Sequence, residues 1–267
     1  MPASNLMCNL KNSEIAVLIL STNDERYCNF ISALKNSWLK KFQENGIQCF
    51  FYSGNAGQKT ILDDRILLDC PDDLAHTSLK LREALGVLHE YLPNLKLVYR
   101  TNLSSYIDFD NFIKFIHTKN LNENTYLGLK GEAGYLSEFF YKNKVLHNLF
   151  KPLKLFKKIH FASGSGFFLG VNHLKKITST SKYDRFIDDV MLGLIMNRKI
   201  AKSDEPLRFD LQEDNGHKIS KSNYLRLVNK DLLFHYRFKT SNRHDDALFI
   251  SQFNDPDFRL TTCTFDD

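Results

Sequence analysis

Cysteine, glycine and proline are scarce in this chain, and no hydrophobic stretch is long. Five cysteines (Cys8, Cys28, Cys49, Cys70 and Cys263) form no CxxC pair and leave one unmatched. That usage predicts free thiols in a reducing compartment and offers no zinc signature. With 12 Gly and 6 Pro, fibrous and low-complexity classes are excluded. No apolar run approaches the roughly 20 residues that a membrane span requires. The opening MPASNLMCNLKNSE has no basic segment followed by an apolar one, so no secretory signal is read there. These absences predict a cytoplasmic chain without a transmembrane segment. GxxxxGK[ST], HExxH and GxSxG are also missing, and no GxGxxG follows the first apolar run. P-loop kinases, Rossmann dinucleotide enzymes, zincins and nucleophile-elbow hydrolases are therefore disfavoured.

What is present is ordinary globular chemistry: 43% hydrophobic and 25% charged residues, with 22 Phe. A chain of 267 residues buries a core without covalent staples. Ile15–Leu20 (IAVLIL) is a continuous apolar run of the kind found in fully buried strands. Residues 25–42 repeat apolar side chains at helical spacing, through Tyr27, Phe30, Ile31, Leu34, Trp38, Leu39 and Phe42. Strands are read at 47–52, 66–68 and 95–99, with a helix over 78–91. This alternation predicts an α/β fold with a mixed, mostly parallel sheet flanked by helices. The second half reads as helices at 110–117 and 188–196 and strands at 126–129 and 166–169. No linker or repeat breaks the chain, so a single domain over 1–267 is expected. In open α/β sheets ligands bind beyond the carboxyl ends of the strands. That rule selects 21–26, 52–57, 100–105 and the region after Phe168.

The net charge of +5 is too small to demand nucleic acid, and the aromatic residues lie at core spacing, so no nucleic-acid partner is expected. Between Glu138 and Asp184 there is no acid, while Lys142, Lys144, Lys151, Lys154, Lys157, Lys158, Lys175, Lys176 and Lys182 fall inside that stretch. It reads either as a solvated face or as a positive field for an anionic partner, peripheral association with an anionic surface included.

Four segments then occur in order: DDLAHTSLKLREAL, KLVYRTNLSSYIDFDNFIKFI, FASGSGFFLG and YDRFIDDVMLGLIM. Together they resemble the fringe and β1,3-galactosyltransferase family of GT-A fold glycosyltransferases. That family reads roughly DSYxNLTLKT, KTDDDVFVNxxNL, a Gly-rich strand, then EDVxxG. The resemblance spans about residues 69–196. It implies a hexosyltransferase moving sugar from a nucleotide-sugar donor, a UDP-sugar by family precedent, to a hydroxyl of a glycan or glycoconjugate. It also implies inversion, with residues 1–100 forming a nucleotide-binding half and 101–267 an acceptor and catalytic half.

One departure is large. Asn102, Leu103 and Ser104 stand where the family carries the acids that hold a divalent metal. An amide and a hydroxyl substitute poorly for carboxylates around a hard cation. No metal cofactor is therefore expected, the alternative being Mn²⁺ or Mg²⁺ on Asp108 and Asp110. Those two acids also suit a helix start. Without a metal, fixed cations must meet the leaving diphosphate. FHYRFKTSNR places His235, Arg237 and Lys239 on one face of a strand, with Arg243 following. Asp189 matches the acid preceding Val in the family's EDV and is the candidate general base, with Asp188 as its charged neighbour. Thr22, Asn23, Arg26, Lys80, Arg100, Asn102 and Ser104 complete the candidate donor site. Ser165 and Gly166 are the candidate acceptor residues. A GT-A-like carbohydrate-binding protein without catalysis is the competing class.

Overall fold

The computed structural model describes residues 10–135, 139, 143–150, 158–196, 208–212, 232–239 and 243–253. Its main sheet has seven strands in the order β3-β4-β2-β1-β5-β8-β7. The ranges are β1 Ile15–Leu20, β2 Gln48–Ser53, β3 Thr60–Leu62, β4 Arg65–Leu67, β5 Leu97–Asn102, β7 Tyr126–Gly134 and β8 Lys158–Gly170. Strands β1, β2, β4, β5 and β7 run one way, and β3 and β8 the other. The fold is thus α/β with a mixed sheet whose strands mostly share one direction. A second, three-stranded sheet is ordered β6-β10-β9, with β6 Ser105–Ile107, β9 Arg208–Gln212 and β10 His235–Lys239.

The central strand β1 is buried on both faces, which explains its unbroken apolar run. Val17 and Ile19 pack into a core with Tyr99, Phe112, Phe115, Phe168 and Phe234, beneath the Phe109–Thr118 helix. Ala16 and Leu18 face a second core with Val98, Leu81, Leu85, Val190 and Met191, beneath the Thr77–Tyr91 and Asp188–Ile195 helices. Aromatic edges knit the first core: the Phe112, Phe168 and Phe234 rings lie 5.3, 4.6 and 5.5 Å from that of Tyr99. Each such pair adds about 0.5–1.5 kcal/mol beyond area burial. Trp38 and most of the Phe residues are therefore core, as their spacing predicts.

Several elements depart from the sequence reading. The expected helix over 25–42 is a 3₁₀ turn (Glu25–Tyr27), an α-helix (Cys28–Leu34), a π segment (Lys35–Leu39) and an α-helix (Lys40–Glu44). Ser37 causes the break: its Oγ donates to the Ala33 carbonyl at 2.7 Å, and its backbone leaves helical geometry. The shift carries Trp38 to β6, where Nε1 donates to the Ser105 carbonyl at 2.9 Å. Strand β3 was not expected; it forms an edge hairpin with β4 across Asp63, which takes φ 53°. Strands β7 and β8 extend well past the expected 126–129 and 166–169 because they pair with each other, with a bulge between Gly128 and Lys130. Cys28 is exposed and Cys49 and Cys70 are buried, all three as free thiols. Among the described residues no helix is long and apolar enough to cross a membrane.

Of the basic stretch, Glu138, Lys142, Lys151, Lys154 and Lys157 lie outside the described residues, and of the side chain of Lys144 nothing is described. Lys158 pairs with Glu132 at 2.7 Å, while Lys175, Lys176 and Lys182 are exposed.

Candidate active site

Parallel pairing brings the carboxyl ends of β1, β2 and β5 to one edge: Leu20 lies beside Tyr52 and beside Asn102. Antiparallel β8 passes the same edge near its middle, with Gly166 opposite Thr101. The loops after β1 and β2, the 102–104 turn and the Gly164-Ser165-Gly166 segment therefore meet. In the register of β5, Val98 and Arg100 share the face that carries the Asp188–Ile195 helix.

That helix is drawn tightly onto β8 by Gly193, where a Cβ would stand 2.5 Å from the His160 carbonyl oxygen. Its approach is held by Arg82, whose Nη2 meets Asp184 at 2.8 Å, and by the Ser78 hydroxyl, which donates to the Phe186 carbonyl. The first turn thus delivers two carboxylates to the sheet edge, where the positive end of the helix favours them. Asp188 is buried and receives a hydrogen bond from Arg100. Arg100 also donates through Nε to the Tyr52 hydroxyl at 3.1 Å. Burial disfavours its charge, but Asp188 and Tyr52 outweigh that and raise its pKa.

Asp189 is half-buried, and each of its oxygens accepts one backbone N–H: Oδ2 from Gly164 at 3.0 Å and Oδ1 from Val190 at 2.8 Å. Burial and the adjacent Asp188 charge push its carboxyl up to about 7, against the opposing pull of those N–H groups and of Arg100. A carboxylate poised near neutrality is what general-base chemistry requires. All three side chains converge on Gly164, where a Cβ would stand 3.2 Å from Asp189 Oδ2, 3.3 Å from Asp188 Oδ1 and 3.4 Å from Arg100 Nη1.

The acceptor residues expected at Ser165 and Gly166 are corrected by this geometry. Gly166 is walled in, since a Cβ there would lie 2.5 Å from both His235 Nδ1 and the Tyr99 hydroxyl. Ser165 is buried, and its carbonyl accepts the Thr101 hydroxyl at 3.1 Å. Gly164 is the residue of this segment that borders the carboxylates.

The basic strand is also corrected in part. His235 is 1% exposed, and its pKa falls well below the usual imidazole value through burial and the nearby Arg208 and Arg237 charges. It is a neutral hydrogen-bonding group, not a cation. Arg237 lies beside Ser105 across the β6–β10 pairing and is half-buried. Its pKa is lowered by burial and by Arg208, with Arg243 and Arg100 adding to the effect and Asp210 opposing it. Its Nε is buried with no hydrogen-bond partner among the described residues. Lys239 is exposed at the end of β10, and Arg243 pairs with Asp246 at 2.7 Å. Arg208, which no local pattern singled out, binds Asp210 and donates to the Ser163 hydroxyl at 3.1 Å. It belongs to the cationic group and ties it to the segment before Gly164.

The donor-side residues divide. Lys80 is 3% exposed and pairs with Asp72 at 2.8 Å, so its charge is already engaged within the fold. Asp72 also accepts the Asn23 N–H at 2.8 Å and the Gly54 N–H at 3.3 Å. Burial raises its pKa, yet these bonds prevail and hold it below the usual carboxylate range. Asp72 therefore stitches the loops after β1 and β2 to the Thr77–Tyr91 helix; its signal lay in the DDLAHTSLKL segment. Thr22 accepts the Asp24 N–H at 3.2 Å. Arg26 is exposed and paired with Asp24.

In the 102–104 turn, Asn102 is half-buried, Leu103 is 4% exposed and Ser104 is 7% exposed. Asn102 Oδ1 accepts three hydrogen bonds, from the Ser104 N–H at 3.2 Å and from the Ser104 and Ser105 hydroxyls at 3.0 Å. That oxygen has no capacity left for a cation. Asp108 caps the Phe109–Thr118 helix, accepting the Asn111 N–H at 3.1 Å, and Asp110 pairs with Lys41 at 2.6 Å. Both border a cavity of about 360 Å³ with Trp38 and Tyr106. Their helix covers the face of the sheet opposite the one holding Asp189, so the structure does not bring them to the carboxylate site. Among the described residues no cluster of His, Cys, Asp and Glu could hold a metal ion.

A mixed α/β sheet with a raised-pKa carboxylate and grouped guanidiniums at its carboxyl edge has the layout of a GT-A-like glycosyltransferase. The galactosyltransferase family profile matches residues 32–205, and the chain belongs to that family. It is 23% identical over 208 residues to rat UDP-GalNAc:beta-1,3-N-acetylgalactosaminyltransferase 1, an alignment covering 71% of this chain and 61% of that enzyme's length. The chain also superposes on the crystal structure of a glycosyltransferase involved in glycosylation of the major capsid of PBCV-1. The TM-score is 0.49 with 9% identity, covering 89% of this chain and 98% of that one.

Proposed function

We propose that the protein transfers a sugar from a UDP-sugar to a hydroxyl of a glycan or glycoconjugate, with inversion and without a divalent metal. The observation that carries the chemistry is Asp189, a half-buried carboxylate whose pKa is pushed up to about 7 at the helix start that borders Gly164. In the step, Asp189 takes the acceptor hydroxyl proton as its oxygen forms a bond to the anomeric carbon. The bond from that carbon to the donor's diphosphate oxygen breaks, and the electron pair leaves with the diphosphate. Burial, and then the neighbouring Asp188 that Arg100 holds in place, keep Asp189 basic.

The metal-free part rests on Arg237. Among the described residues its buried Nε lacks a hydrogen-bond partner, and its charge is disfavoured by burial and by Arg208, Arg243 and Arg100, with Asp210 opposing. An anion placed among these groups relieves both conditions. The UDP-sugar reading draws on the donor named for the rat relative. The Asp72–Lys80 pair shapes the wall of the donor site beside Thr22 and Asn23.

The test is UDP release from UDP-GalNAc and UDP-galactose with a panel of glycan acceptors, in excess EDTA and with Mn²⁺. Turnover in EDTA is expected, with Arg237→Ala weakening donor affinity roughly ten- to a hundred-fold, the range of one charge-assisted hydrogen bond. Loss of turnover in EDTA with rescue by Mn²⁺ overturns the metal-free mechanism. UDP binding without any turnover favours a carbohydrate-binding protein.

A further inference from the structure

A hydrogen-bonded chain runs from the first core to the sheet edge. The Tyr99 hydroxyl lies 2.7 Å from His235 Nδ1, His235 Nε2 lies 2.8 Å from the Ser105 hydroxyl, and Ser105 donates to Asn102 Oδ1 at 3.0 Å. The direction of every bond follows from its last member. A carbonyl oxygen only accepts, so Ser105 must give its proton to Asn102. Ser105 then accepts from His235, which fixes the proton on Nε2 and leaves Nδ1 to accept from Tyr99. The imidazole stays neutral because it is buried among guanidiniums.

The amide of Asn102 is fixed by the same bonds. Exchanging its oxygen and nitrogen would set an NH₂ group against the Ser104 N–H, two donors facing each other. The oxygen is therefore locked inward on three donors. The nitrogen, on the other side of the amide, has no partner among the described residues. Asn102 ends β5 beside Leu20 of β1, and Arg237 lies beside Ser105 in the adjoining sheet.

We propose that Asn102 is a direct donor-binding residue whose Nδ2 hydrogen-bonds the diphosphate, and that Tyr99, His235 and Ser105 are positioning residues that hold the amide in that orientation. The inference rests on the UDP-sugar reading and deepens it. A position suited to a metal-holding acid becomes an N–H donor that meets the anion directly, on the turn that leads into the strand paired with Arg237. His235 thereby serves the site as an uncharged spacer, which its place in the basic strand conceals.

The experiment compares binding of UDP and of uridine, by NMR titration in EDTA, for the wild type, Asn102→Asp and Ser105→Ala. Asn102→Asp keeps the shape and the accepting oxygen but replaces the NH₂ group by a carboxylate oxygen. It is expected to lose at least about tenfold in UDP affinity, with uridine affinity unchanged. Ser105→Ala is expected to lose about three- to tenfold for UDP alone, because a freed amide spends less time in the binding orientation. The unchanged uridine affinity separates these effects from damage to the fold, and the Asn102 side-chain amide signal of the wild type should shift with UDP and not with uridine. If the wild type binds UDP while Asn102→Asp binds it equally well, or loses uridine in step with UDP, this inference is overturned and the donor reading stands. If the wild type binds no UDP, both fall.

Discussion

Replacing Asp189 by Asn tests the base through two quantities, stability and turnover. The Asp189 carboxyl is raised from 3.8 to about 7, roughly three units at about 1.4 kcal/mol each. A group whose folded pKa lies above its unfolded one binds more protons when folded. Its contribution is fully present below about pH 4 and is lost as pH rises toward 7. At pH 8 the charged carboxylate therefore burdens the fold by about 4 kcal/mol, an upper estimate since the side chain is partly exposed. Asn removes that charge, but it offers one oxygen where Asp189 uses two, for Gly164 and Val190. The unmatched N–H costs about 1–3 kcal/mol. The variant should therefore be less stable than the wild type by about 1–3 kcal/mol at pH 4, and this deficit should shrink or reverse by pH 8, where the charge it removes burdens the wild type. For a chain of this size each kcal/mol moves Tm by roughly 2–4 °C, so melting curves at the two pH values suffice. Turnover should fall at least about 100-fold, while wild-type kcat/KM rises with pH and levels off above about 7. Near-normal turnover in Asp189→Asn, or a Tm deficit that does not narrow between pH 4 and pH 8, would refute the reasoning.

Gly164→Ala places a methyl group against Asp189, Asp188 and Arg100 at 3.2–3.4 Å; turnover should drop about tenfold while Tm, read by calorimetry, changes by only a few degrees. Lys80→Met leaves Asp72 buried and unpaired and should destabilise the protein by about 3–5 kcal/mol, as read from urea unfolding. Adding Asp72→Asn to Lys80→Met should recover most of that loss, and failure to recover would mean that Lys80 acts other than through Asp72. Arg208→Ala should weaken UDP affinity about tenfold, as one charged hydrogen-bonding group is lost; unchanged affinity by calorimetric titration would remove Arg208 from the anion site.

The sheet was legible because β1, most of β2 and the start of β5 (Leu97, Val98, Tyr99) are apolar runs whose burial on both faces suppresses alternation. The rule that ligands sit beyond the strands' carboxyl ends then selected the edge where Asp72, Arg100 and Asn102 lie. Local pattern failed where the deciding contact is distant in the chain. Period two puts His235, Arg237 and Lys239 on one face, yet the exposure along that face is set by Tyr99 and Gly166, which enclose His235 alone. A basic residue in a basic strand thus became a neutral one, a change no window around 235 encodes. Arg208 has the same character: its role follows from pairing of β9 with β10 and from Ser163, 45 residues earlier. The break at Ser37 likewise delivers Trp38 to a carbonyl 67 residues away, a contact no local window shows. These distant contacts share a direction. The oxygen of Asn102 is saturated from within, while Arg208, Arg237 and Arg100 influence one another. An amide oxygen occupied from within and guanidiniums gathered beside it are the physical basis for proposing an anion at this edge, with Asp189 as the base next to it.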